Sequence, residues 1–258
     1  MIKLQGKLVT PTVFPDNTSQ TWKLPQDLLD EVHRADECTV EWNFEQEAEF
    51  MQLAQLKTLL DQYTDTVHLL MPYLPYGRQD KIVSNNSTFA LKTFALLLNA
   101  LNFTDVTTYD AHNDSRAHQI NNLDNIAPRN WMHDTFAAVK ADMYLFPDKG
   151  AAVRYGAHAN ARYATATKDR DPLTGLISSV TIEGHVKKNK VLIVDDICDG
   201  GMTFKLVAEA ALKAGAKEVH LYVTHGIFSK GLKTLRDSGI ERIFTHRGEV
   251  LVTSVATV

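Results

Sequence analysis

Apolar residues along the chain repeat in two alternating rhythms. In "EQEAEFMQLAQLKTLLDQY", Phe50, Leu53, Leu56 and Leu60 keep the spacing of one helix face, and the following "TVHLLMPY" is a short apolar run that predicts a buried strand. "STFALKTFALLLNALNF" repeats the helical spacing through Phe94, Leu97, Leu98 and Leu101, with Ser87 or Thr88 as the expected N-cap, before "DVTTYD" returns to strand. Further on, "ADMYLFPDKG" predicts a short strand ending in Pro-Asp, and "AAVRYGAHANARYA" predicts a helix. "NKVLIVDDI" and "KEVHLYVTHGIF" are continuous apolar, β-branched runs, as in strands buried on both faces of a parallel sheet. A helix from Thr203 to Ala214 is expected between them, with Gly215 at its C-terminal cap. "KDRDPLTGLISSVTIEGHVKKNK" is polar and glycine-punctuated, which predicts a loop or hairpin.

Two strand-helix series predict an α/β protein with two domains, residues 1–140 and 141–258, rather than one barrel. The 258 residues are enough for a sizeable core in either arrangement. A formal net charge of -4 argues against nucleic acid as the main partner. The two cysteines, Cys38 and Cys198, lie far apart without metal-ligand spacing, so a disulfide framework is not expected and a reduced, cytoplasmic setting is. The opening "MIKLQGKLVTPT" lacks the apolar core of a leader peptide, and no apolar stretch reaches the roughly 20 residues that span a bilayer. A soluble protein without a membrane partner is expected.

The stretch with the clearest chemistry is "VLIVDDICDGGMTF". After a buried strand, amides in a glycine loop and at a helix N-terminus favour an anion, which points to Gly200, Gly201 and Thr203 as a phosphate cradle. Asp195 and Asp196 beside it suit the hydroxyls of a sugar diol. Together they read as a ribose-phosphate site, the alternative being an aspartate pair that merely caps a helix.

This stretch resembles the fingerprint of the phosphoribosyltransferase-type fold, a hydrophobic strand, Asp-Asp and an Asp-Thr-Gly-Gly-Thr-like loop. "MPYLPYGRQDK" resembles the Pro-Tyr-x-x-Tyr-x-Arg-Gln-Asp segment of the ribose-phosphate pyrophosphokinases, or PRPP synthetases, which simple phosphoribosyltransferases lack. "YDAHND", "FPDKGAAVRY" and "VTHGIFSKG" resemble further segments of that family and occur in its order. The resemblance implies two phosphoribosyltransferase-like domains, each a mainly parallel sheet flanked by helices, in a homo-oligomer with ATP bound near a subunit contact. It implies transfer of the β,γ-diphosphate of Mg-ATP to the anomeric hydroxyl of ribose 5-phosphate, in nucleotide biosynthesis.

By that resemblance Phe14, Asp16, Arg78, Gln79, Asp80 and His225 are the ATP-binding residues, and His112 and Asp148 hold Mg²⁺, with Asp110 a further candidate through water. Lys168 and Arg170 match the catalytic loop that presents cations to the diphosphate. Asp195, Asp196, Asp199, Gly200, Gly201, Met202 and Thr203 form the ribose-phosphate loop. Three departures stand out. Thr18 occupies the place of a base-binding glutamate, and Gly200 and Met202 replace the loop's first threonine and second glycine. "NDSRAHQINN" is longer than its counterpart and brings Arg116 and His118. A weaker grip on a terminal phosphate and extra cations suggest, as an alternative acceptor, a larger molecule containing ribose 5-phosphate such as ADP-ribose, which would point to NAD metabolism. The ribose-phosphate loop is equally compatible with a PRPP-consuming phosphoribosyltransferase, and the fold with an inactive regulatory homologue.

Overall fold

The computed structural model describes residues 1–21, 24–170 and 177–251, without the side chains of residues 170, 177 and 178. It divides into two compact units, Met1–Ala127 and Pro128–Val258. The division falls ahead of the expected residue 140, because the helix at Arg129–Ala138 packs Met132 into the same buried cluster as Tyr144 and Phe146.

In the first unit the strands are β1 (Ile2–Leu4), β2 (Lys7–Val9), β3 (Thr12–Val13), β4 (Ser19–Gln20), β5 (Cys38–Trp42), β6 (Val67–Leu70), β7 (Asp105–Tyr109) and β8 (Leu123–Ile126). Its helices are α1 (Gln26–Ala35), α2 (Ala48–Leu60), α3 (Ala90–Asn99) and α4 (Asp114–Ala117). The main sheet runs β2-β1-β5-β6-β7-β8, parallel from β5 to β8 and antiparallel at the β1–β2 edge, while β3 and β4 form a separate hairpin. The predicted apolar stripe of α2 is buried at Leu53, Leu56 and Leu60 against Trp42 and Leu69. Helix α3 starts later than expected. Its N-cap position is Phe89, and Ser87 Oγ instead accepts the Val83 and Ser84 amides to close the preceding turn.

The second unit contains α5 (Arg129–Ala138), β9 (Met143–Phe146), α6 (Lys149–Tyr155), β10 (Tyr163–Arg170), β11 (Ile177–Glu183), β12 (Lys190–Cys198), α7 (Met202–Lys213), β13 (Glu218–Gly226), α8 (Lys233–Asp237), β14 (Ile240–Thr245) and β15 (Gly248–Glu249). Its sheet runs β11-β10-β9-β12-β13-β14-β15, parallel in the middle with an antiparallel strand at each edge. The β12 run is buried on both faces, as its continuous apolar character predicts. Val191 and Ile193 join one cluster, and Leu192 and Val194 join another.

Gly215, at φ +90°, ends α7 as expected. Its N–H donates to Leu212 O at 2.9 Å and that of Ala216 to Ala211 O at 3.0 Å, the paired bonds of a Schellman close. The expected helix over "AAVRYGAHANARYA" is shorter. α6 gives way to a 3-10 turn at Gly156–His158, and Tyr163 already belongs to β10. Of the loop-or-hairpin alternatives for the polar stretch after residue 167, the structure adopts the hairpin, with Lys168 opposite Val180, while its tip at 171–176 lies outside the described residues.

Candidate functional site

In the second unit β9 and β12 are parallel neighbours, so the residues that follow β9 lie beside the last residues of β12 at one edge of the sheet. After β9, Asp148 becomes the N-cap of α6, its Oδ1 accepting the Ala151 amide at 2.9 Å. Its Oδ2 accepts Lys168 Nζ from β10 at 3.0 Å. Burial works to raise the Asp148 pKa, but the Ala151 amide, Lys168 and Arg154 outweigh it and hold the carboxyl below its ordinary value.

One and a half turns into α6, Arg154 reaches the aspartate pair at the end of β12. Its Nη2 donates to Asp195 Oδ1 at 3.0 Å, and its Nη1 stands 3.1 Å from Asp196 Oδ2. Asp195 Oδ1 also accepts the Asp196 amide at 3.0 Å. Burial, and then the neighbouring Asp196 charge, raise the Asp195 pKa well above its ordinary value, despite the opposing pull of Arg154. Burial also works against the Arg154 charge, but Tyr155, Asp196 and Asp195 outweigh it, so the guanidinium stays charged. Sequence reasoning gave Arg154 no task, although it belongs to "FPDKGAAVRY". The available signal was its place six residues after the capping Asp148, on a helix that leaves the same sheet edge.

Beyond β12, Asp199 is exposed and Gly200 and Gly201 lead into α7. Gly201 takes φ +76°, where a Cβ would come within 3.0 Å of Leu235 Cδ2, so both conformation and space favour glycine there. Among the described residues no side chain caps α7, which leaves the leading amides of Met202 and Thr203 open to an anion. A Cβ on Gly200 would meet only the aliphatic stem of Lys230, at 3.5 Å, and the Met202 side chain is 54% exposed. The Cys198 thiol is pushed up to about 12 by burial, then by Asp199 and Asp195, and so is no nucleophile at neutral pH.

His225, expected among the nucleotide residues, lies near the end of β13, paired with Ile197 of β12. It is buried, with its ring edge-on to His246 at 5.6 Å between centroids. The backbone of Arg170 ends β10, but its side chain lies outside the described residues.

The first unit brings together two of the family-like segments. Asn113 Nδ2 donates to Asp80 Oδ2 at 2.7 Å, tying "YDAHND" to "GRQDK". Asp80 is buried, whereas Arg78 and Gln79 beside it are exposed. Asp110 is buried with φ +45° just after β7, next to half-buried His112. Arg116 lies over the Phe89 ring at 6.0 Å, and His118 Nδ1 bonds to Asp114 O at 2.8 Å. At the β3–β4 hairpin, Asp16 Oδ1 accepts both the amide and the hydroxyl of Thr18, at 3.0 and 2.7 Å. These bonds lower the Asp16 pKa, and they give Thr18 a turn-closing task where a glutamate was expected. Phe14 is 40% exposed and lines a groove of about 570 Å³ with Met51, Gln55 and Thr58 of α2.

The described residues contain no helix long and apolar enough to cross a membrane. Residues 153–254 match the family model of the phosphoribosyl transferase domain. The fold is similar to that of a phosphoribosylpyrophosphate synthetase from Mycobacterium smegmatis, with a TM-score of 0.71 at 18% identity over 92% of this chain and 78% of that one. The protein therefore has the phosphoribosyltransferase-type fold.

Its sequence is 32% identical over 178 residues to a ribose-phosphate pyrophosphokinase of Cereibacter sphaeroides, covering 64% of this chain and 52% of that protein. It is 30% identical over 200 residues to the Thermococcus kodakarensis protein of that name, covering 74% of this chain and 66% of that protein. The chain belongs to the ribose-phosphate pyrophosphokinase family, and it spans about half to two thirds of the length of these relatives.

Proposed function

We propose that this chain is a Mg-ATP-dependent diphosphotransferase that moves the β,γ-diphosphate of ATP to the anomeric 1-hydroxyl of ribose 5-phosphate, giving PRPP and AMP. The observation that carries this reading is the arrangement in the second unit. An aspartate pair stands beside an uncapped helix start, with Lys168 on the adjacent Asp148. The α7 amides receive the 5'-phosphate, and Asp195 and Asp196 hold the ribose hydroxyls. The sugar O1 attacks the β-phosphorus, the bond from that phosphorus to the bridging α,β oxygen breaks, and AMP leaves with that oxygen while the hydroxyl proton passes to water. Lys168 and Arg170 offset charge on the moving diphosphate.

In the first unit, Phe14 offers a face for the base, and exposed Arg78 and Gln79, with Asp80 behind them, are the polyphosphate contacts. His225 of the second unit is a further candidate for a nucleotide contact. Asp148 supplies the oxygen donors that magnesium prefers, which makes it a firmer metal residue than His112. Magnesium, when bound, draws charge from the polyphosphate. The chain works as a homo-oligomer on this reading.

One observation favours a second acceptor. Gly200 and the exposed Met202 leave the outer side of the phosphate loop open, which suits a 5'-phosphate that carries a substituent, as in ADP-ribose. AMP release from Mg-ATP with ribose 5-phosphate or ADP-ribose, with the product identified by mass, separates the two. A faster reaction with ribose 5-phosphate supports the first acceptor, and a faster one with ADP-ribose makes Gly200 and Met202 specificity residues. No AMP with either acceptor overturns the proposed activity.

A further inference from the structure

At the start of β13, far along the strand from His225, a second polar cluster lies in the second unit. Glu218 and His220 are two residues apart on β13 and so face the same side, and Glu241 stands on the neighbouring β14. One ligand atom from each of the three lies within 4.8 Å of the others, and His220 Nε2 is 3.6 Å from Glu218 Oε2. His220 is only 2% exposed, and among the described residues neither ring nitrogen has a hydrogen-bond partner. A buried, unpaired imidazole is uncommon and calls for a partner.

The groups around it do not supply one. Lys190 Nζ is occupied with Glu218 Oε2 at 2.7 Å, and Lys217 Nζ stands 4.0 Å from Glu218 Oε1. Arg242 is held by both oxygens of Glu249 and by Ala138 O. With neither ring nitrogen hydrogen-bonded, the His220 imidazole has a nitrogen lone pair to offer.

We propose that Glu218, His220 and Glu241 form a binding site for a divalent transition metal of the zinc class, distinct from the magnesium of the proposed reaction. One imidazole nitrogen with two carboxylates suits Zn²⁺, whereas Mg²⁺ prefers an all-oxygen shell. Glu218 and Glu241 offer carboxylate oxygens to the ion, and water completes the shell at the exposed Glu241 side. The ion would clamp β13 to β14, so its effect is on stability, and the inference does not rest on the proposed activity.

The test is titration of the metal-stripped full chain with Zn²⁺ against a chromophoric chelator, with Glu241→Gln and His220→Leu alongside. The expected result is one tight equivalent of Zn²⁺, at least tenfold weaker binding in E241Q, loss of binding in H220L, and no competition from millimolar Mg²⁺. X-ray absorption of the zinc-loaded protein should show nitrogen and oxygen ligands and no sulfur. Zinc should also raise the thermal midpoint of the parent chain more than that of E241Q. E241Q alters an exposed side chain, so it keeps the test open if H220L fails to fold. Absence of a stoichiometric site, or equal affinity in the parent and E241Q, overturns the proposal.

Discussion

The two units handle their charged candidate residues in opposite ways. In the second unit they are paired with each other, Arg154 with Asp195 and Asp196, and Lys168 with Asp148. In the first, Asp80 is held by the neutral Asn113, while Arg78 and Gln79 face solvent. The difference teaches that the same kind of residue carries different loads. The buried cluster of Arg154, Asp195 and Asp196 is part of the second unit's folded structure and its disruption is felt by the fold, whereas Lys168, paired with half-exposed Asp148, and Arg78 can be removed at little structural cost.

Lys168→Ala separates the two loads most sharply. Its partner Asp148 is 46% exposed, so stability should change by less than about 1 kcal/mol, while turnover falls by about 10²–10³-fold. Turnover and a urea melt on the same preparation check this, and an unchanged rate would remove Lys168 from the catalytic set. Arg154→Met leaves two largely buried carboxylates without their cation, and should lower stability by about 3 kcal/mol. A urea midpoint equal to that of the parent chain would contradict the structural load assigned to the cluster.

The pH dependence sharpens the same contrast. The Asp195 pKa is raised in the folded state, so its favourable contribution is fully present below the ordinary carboxylate value of about 4 and is lost as pH rises through the raised value. Urea midpoints measured across that range should therefore fall with pH more steeply in the parent chain than in Asp195→Asn. Arg78→Ala should have the smallest effect. Its stability should stay within about 0.5 kcal/mol of the parent while the KM for ATP rises about tenfold, as initial rates over an ATP series would reveal.

The legible parts of this molecule are those with short-range causes. The two-sided burial of β12 follows from an unbroken β-branched run, and the end of α7 from Gly215. The turn at Gly201 follows from the glycine pair. What sequence alone could not supply were contacts set by strand order. Because β9 is the neighbour of β12, Arg154 meets Asp195, although the two are 41 residues apart in the chain. The Asn113–Asp80 bond has the same origin, a separation of 33 residues closed within one unit. Ser87 and α3 illustrate a local failure. A serine near an apolar stripe fits a helix cap and a turn equally well, and the amides of Val83 and Ser84 decided for the turn.

The proposed reaction moves a diphosphate, not a single phosphate, from ATP to a ribose-phosphate acceptor. Following ATP labelled at the γ-phosphorus and, separately, at the α-phosphorus tests it most directly, with ribose 5-phosphate and ADP-ribose each supplied as acceptor. The expected result is γ label in a sugar product that has gained two phosphates, and α label only in AMP. Formation of ADP, or γ label recovered only as free phosphate, would contradict it.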